Sequence, residues 1–133
     1  MHKFEDHIDL LKKIAQHSSL QHKHGACLIK SGKIFSFGYN KYINKTIMYT
    51  IHAEVDALCK VPNKSAKGMD ILIIRIGKNK LKNSRPCNSC IDKLSRYGIR
   101  KVYYSNEDGD IVCELVDSMP KLHNSSGYNF RNK

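Results

Sequence analysis

The chain has 133 residues, 41% of them hydrophobic, and 23 Lys and Arg against 12 Asp and Glu give a formal net charge of +11. That length suits one domain with one core, and no apolar stretch is long enough for a membrane-spanning helix. The start, Met1-His2-Lys3-Phe4-Glu5-Asp6-His7, is polar and unlike a secretion signal. The five cysteines are an odd count for a disulfide framework, so a cytoplasmic protein in a reducing compartment is expected.

Phe4, Ile8, Leu11 and Ala15 recur at helical spacing with Lys12 and Lys13 off that stripe, which predicts an amphipathic first helix. Residues 17–24 are polar and read as a loop. Two strand-like runs, 26–29 and 33–37, flank Lys30-Ser31-Gly32 and predict a hairpin. Residues 41–50 read as a connection into a helix over 51–59, a stretch free of Gly and Pro. The apolar run over 69–76 suits a buried central strand. Pro86 is a natural helix starter, and the helix that follows is expected to stop at Gly98.

A strand over 100–104 comes next, then the turn Glu107-Asp108-Gly109-Asp110 and a last strand over 111–116. So short a connection permits only an antiparallel pair, because a parallel partner needs a crossover of a dozen or more residues. The expected fold is α/β, a three-layer α/β/α sandwich on a five-stranded sheet. Residues 1–117 are read as one domain. Residues 118–133 are read as a polar tail, disordered by default, with Tyr128 and Phe130 as its only aromatics.

The chemistry lies in two short motifs. His52-Ala53-Glu54 and Pro86-Cys87-Asn88-Ser89-Cys90 supply one imidazole, two thiols and a free carboxylate. Three N/S ligands with a fourth position open is the arrangement of a catalytic zinc site rather than a structural one. Glu54, two residues from His52, is then a candidate proton shuttle. A closed zinc knuckle needs a fourth protein ligand, and Cys27, Cys59 and Cys113 stand alone in the sequence, as small buried hydrophobes would. The His22/His24 pair has no second pair nearby. A redox C-x-x-C leaves His52 and Glu54 unexplained. The order H-x-E…P-C-x-x-C is the mark of zinc-dependent nucleobase deaminases.

On these motifs the chain, from about Gly25 to about Leu115, resembles the cytidine/deoxycytidylate deaminase superfamily. The resemblance implies Zn2+ held by His52, Cys87 and Cys90, with Glu54 as general acid and base. It implies hydrolytic loss of an exocyclic amine as ammonia, on a mixed sheet. Asn40, in Gly38-Tyr39-Asn40, falls where the family holds the base or sugar, although Asn after a strand is also a common turn residue. Ala26 and Ala53 would offer backbone contacts, and the Arg85 carbonyl would accept from the substrate amine. His24 is a further candidate, for stacking or for phosphate.

The expected substrate is a small cytosine nucleoside or nucleotide, with no membrane partner. Alternatives are adenosine or cytosine in tRNA or single-stranded nucleic acid, another ring such as guanine or a pterin or riboflavin precursor, or an inactive zinc-binding assembly subunit. The hairpin of the last two strands resembles tetrameric nucleoside deaminases, whereas a histidine ligand resembles the deoxycytidylate and nucleic-acid branch. A homodimer or homotetramer is implied, with Tyr128 or Phe130 able to close a neighbour's site. Eight basic residues lie between Lys60 and Arg85 with Asp70 as the sole acid. Lys78, Lys80, Lys82 and Arg85 are expected near the mouth of the site, as a rim for phosphate or nucleic acid or as a solvated face.

Overall fold

The computed structural model describes residues 2–44, 46 and 49–120, apart from the side chains of His2 and Lys3. Helix α1 (His2–Ala15) is followed by β1 (His24–Lys30) and β2 (Lys33–Tyr39). These pair antiparallel through a turn in which Ser31 (φ 52°) and Gly32 (φ 79°) are both left-handed, as a two-residue type I′ hairpin requires. After β3 (Lys41–Asn44), β4 (Tyr49–Ile51) and α2 (Ala53–Leu58) come β5 (Asp70–Arg75), α3 (Asn88–Tyr97), β6 (Lys101–Ser105) and β7 (Ile111–Leu115).

The main sheet has the order β2-β1-β5-β6-β7. Only β5 and β6 are parallel, joined by the crossover through α3; β6 and β7 form the expected antiparallel hairpin. The sheet is thus mixed and five-stranded, covered on both faces. Ile71 and Ile73 face α2 and α3 in one cluster with Ala26, Leu28, Leu58, Ile91, Leu94 and Val102. Leu72 and Ile74 face α1 in a second cluster with Leu11 and Cys27, against which Phe4 and Ile8 pack. Burial on both faces explains why β5 reads as a continuous apolar run. Val116 and Met119 are buried in the first cluster, so packing continues to the end of the described chain. No helix among the described residues is long and apolar enough to cross a membrane.

Three local expectations are corrected. Residues 41–50 are not a plain connection: β3 and β4 pair as a separate two-stranded sheet. The second helix is shorter than residues 51–59, because His52 is extended (φ −74°, ψ 154°) and caps the helix instead of lying inside its first turn. Of the three cysteines outside the motif, Cys27 is buried, but Cys59 and Cys113 are exposed; all five are free thiols.

The seat of α2 matters because this helix carries Glu54. Asp56 accepts from the Tyr39 amide at 3.2 Å and from Lys41 Nζ at 3.0 Å, and Ser36 Oγ donates to the Ala57 carbonyl at 3.0 Å. This close approach needs a glycine. A Cβ on Gly38 would lie 2.6 Å from the Ala57 nitrogen and 2.7 Å from Asp56 Oδ2. Gly38→Ala is therefore expected to cost about 1–3 kcal/mol through forced displacement of α2, read as a lower Tm. An unchanged Tm would show that α2 is not held against β2.

Candidate active site

Cys87 and Cys90 are brought to α2 by α3. Pro86 precedes the helix, Cys87 caps it in an extended conformation (φ −73°, ψ 170°), and Gly98 ends it in the left-handed region (φ 85°). Cys90 falls three residues further on, so both thiols face the same side. Together with His52 they place three ligand atoms within 4.8 Å of one another, with His52 Nδ1 3.1 Å from Cys90 Sγ. Zinc–sulfur and zinc–nitrogen bonds of about 2.0–2.3 Å in a tetrahedral site put ligand atoms about 3.5–3.8 Å apart. The donor set and its spacing therefore fit that metal.

The two thiols behave as a pair that shares one proton. The hydrogen bond from Cys90 holds the Cys87 thiol down at about 3, helped by His52 and by Ser89, whose Oγ lies 3.3 Å away. The same bond, together with burial, pushes Cys90 well above the usual thiol range. A contact with the Cys87 sulfur raises His52. A divalent cation in this triangle would displace the shared proton and make both sulfurs thiolates. Glu54 is 5% exposed. Burial lifts its carboxyl above the ordinary range, opposed by the neighbouring His52 imidazole.

His52, Glu54 and Cys87 line a pocket of about 360 Å³, a size suited to a small molecule, with Cys90 outside its lining. Of the residues expected to meet substrate, His24, Asn40, Ala53 and Arg85 line it. Ala26 does not: it is fully buried in β1, between Gly38 on β2 and Ile73 on β5. Lys78, Lys80 and Lys82 do not line the pocket either. Their loop leans on the β6–β7 turn, where Lys80 and the Leu81 carbonyl approach Gly109. Tyr128 and Phe130 lie outside the described residues.

Asn40 is 8% exposed and already half committed. Its Oδ1 accepts from the His24 amide at 2.9 Å and its Nδ2 donates to the His22 carbonyl at 2.5 Å. It thus pins the start of β1 into the wall while keeping one N–H and one lone pair free to offer a ligand. Arg85 is held from behind, with Nε 3.3 Å from Glu114 Oε2 and Nη2 donating to the Pro120 carbonyl at 2.7 Å.

Sequence reasoning missed further residues of the wall, among them His22, Thr50 and Ile51. Thr50 and Ile51 belong to β4, whose three residues carry no strand pattern of their own. His22 could have been suspected from its place two residues before His24.

Burial depresses His24 from 6.5 to about 4. As pH falls, the unfolded chain takes up this proton first. The stability of the neutral folded form is therefore intact above about 6.5 and is lost progressively towards 4, by no more than about 3 kcal/mol. His24→Gln should consequently show a flatter fall of Tm between pH 6.5 and 4 than the parent protein. Parallel Tm curves would contradict this.

Residues 1–106 match the cytidine and deoxycytidylate deaminase zinc-binding region. The chain belongs to this family. It is accordingly a deaminase of the zinc type, a hydrolase acting on cyclic amidines of nucleosides or nucleotides. Solved structures agree. The dCMP deaminase of cyanophage S-TIM5 in its apo form is 26% identical, with TM-score 0.61 over 77% of this chain and 82% of that one. The same phage enzyme in complex with dCMP and dUMP aligns with TM-score 0.58 at 22% identity, over 78% of this chain and 81% of that one. Cytidine deaminase from Burkholderia pseudomallei shares the fold at 21% identity, with TM-score 0.67 over 87% of this chain and 95% of its own. A comparison with curated protein sequences finds no match.

Proposed function

We propose that this deaminase converts a cytosine nucleoside or nucleotide to its uracil form, with His52, Cys87 and Cys90 holding zinc and Glu54 moving the protons. The observation that carries this reading is the buried carboxyl of Glu54, which lines one pocket with His52 and Cys87 of the three-ligand triangle. When bound, zinc acidifies and orients the attacking water. Glu54 takes a proton from that water as its oxygen bonds to C4 of the ring, and delivers it to N3. The second proton, taken by the same carboxyl from the hydroxyl now on C4, goes to the exocyclic nitrogen as the C4–N4 bond breaks, the C4 carbonyl forms and ammonia leaves. The raised affinity of Glu54 for protons suits both directions of this shuttle.

Asn40 and the backbone of Ala53 are placed to orient the ring, and Arg85 borders the same wall. The similarity to a phage dCMP deaminase and to a bacterial cytidine deaminase supports cytosine as the base. The test is incubation of zinc-loaded protein with cytidine, deoxycytidine, CMP and dCMP. Loss of cytosine absorbance with stoichiometric ammonia is expected for at least one of them. No turnover of any of the four would sink the cytosine reading.

A further inference from the structure

We infer that His22 and Arg75 form an anion subsite at the mouth of the pocket, which takes the 5′-phosphate of the substrate, so that the preferred substrate is a nucleoside monophosphate. This rests on the cytosine-deaminase reading above. The pocket runs from exposed His22 to buried Glu54, which is the only carboxylate in its wall among the described residues. The end that receives the base is thus marked by Glu54 and the triangle, and the sugar side faces His22.

At that side, Arg75 Nη2 lies 2.9 Å from His22 Nδ1. A guanidinium can only donate, so Nδ1 accepts and the ring proton sits on Nε2. The pair thus presents an N–H donor backed by a permanent positive charge, the chemistry that recognises phosphate oxygens. β-Sheet register holds it in place: Arg75 ends β5 opposite His24, which begins β1, and Asn40 fixes the His22 carbonyl.

The charge on Arg75 is also unspent. Among the described residues the ion pairs are Lys41–Asp56, Arg85–Glu114 and Arg100–Asp70, and Arg75 is in none of them. Arg85, the guanidinium in the pocket wall, has its charge met by Glu114 and its Nη2 by the Pro120 carbonyl, with Nη1 left unpartnered. Arg75 stands outside the lining and reaches the pocket through His22. A phosphate bound at His22 therefore meets, at Arg75, a counter-charge that forms no ion pair among the described residues.

The experiment is the ratio of kcat/KM for dCMP to that for deoxycytidine, measured on zinc-loaded protein, on Arg75→Gln and on His22→Ala. The parent protein should prefer dCMP, and each variant should lower the ratio by about 10- to 100-fold, the worth of a charge-assisted hydrogen bond. Equal use of both substrates by the parent protein would overturn the phosphate subsite and leave the deaminase reading standing. A dCMP preference that survives in both variants, or rates that fall alike for both substrates, would overturn the assignment to these two residues. If neither substrate turns over, the cytosine reading fails separately, and the subsite is judged by Tm. A shift produced by dUMP but not by deoxyuridine, and abolished in Arg75→Gln, upholds it; equal or absent shifts overturn it.

Discussion

Glu54→Gln should keep one zinc per chain and lose turnover, with kcat lower by about 10²- to 10⁴-fold, the usual worth of a positioned acid–base group. The substitution is close to isosteric and keeps a side chain able to hydrogen-bond Cys90 from the first turn of α2, so the helix and the metal triangle should survive it. Removing a buried carboxyl that prefers to hold a proton should, if anything, leave Tm equal or slightly higher. The combination of full zinc content, an unchanged fold and lost ammonia release separates a proton shuttle from a structural acid. Wild-type rates in this variant would remove Glu54 from the chemistry, and loss of zinc would make it a ligand.

Cys90→Ala should abolish tight zinc binding and with it activity. Cys90 is buried, donates to Cys87 and lies 3.1 Å from His52, so it is an integral member of the triangle. Two remaining ligands do not make a tetrahedral zinc site. A ligand that binds only the folded state adds about 4 kcal/mol when its concentration is 1,000 times its Kd. Chelation should therefore lower the Tm of the parent protein by many degrees and leave that of Cys90→Ala unmoved. Equal chelator-induced shifts in the two proteins would place the metal elsewhere.

Much of this was legible in the sequence because the chemistry is local. Cys87 and Cys90 are three apart, so helix geometry places both on one side, and His52 and Glu54 are only two apart, so both come to the site from the start of α2. The β6–β7 hairpin was legible for a similar reason, since its connection is too short for any crossover. What depended on partners distant in sequence was not legible. The β3–β4 sheet rests on a strand of three residues, too short to show an alternation. His22 and Arg75 are 53 positions apart and meet only because β1 and β5 pair with His24 opposite Arg75. The lysines at 78, 80 and 82 precede the zinc-binding Pro-Cys in sequence, yet none of them lines the pocket, and Lys80 lies against Gly109.

Zinc titration of metal-free protein, with ammonia release from dCMP and bound zinc measured on the same samples, tests the zinc-deaminase assignment most directly. Activity should rise in proportion to bound zinc and reach its plateau at one equivalent per chain. Turnover without zinc, or a full equivalent of zinc bound with no ammonia from any cytosine nucleoside or nucleotide, would contradict it.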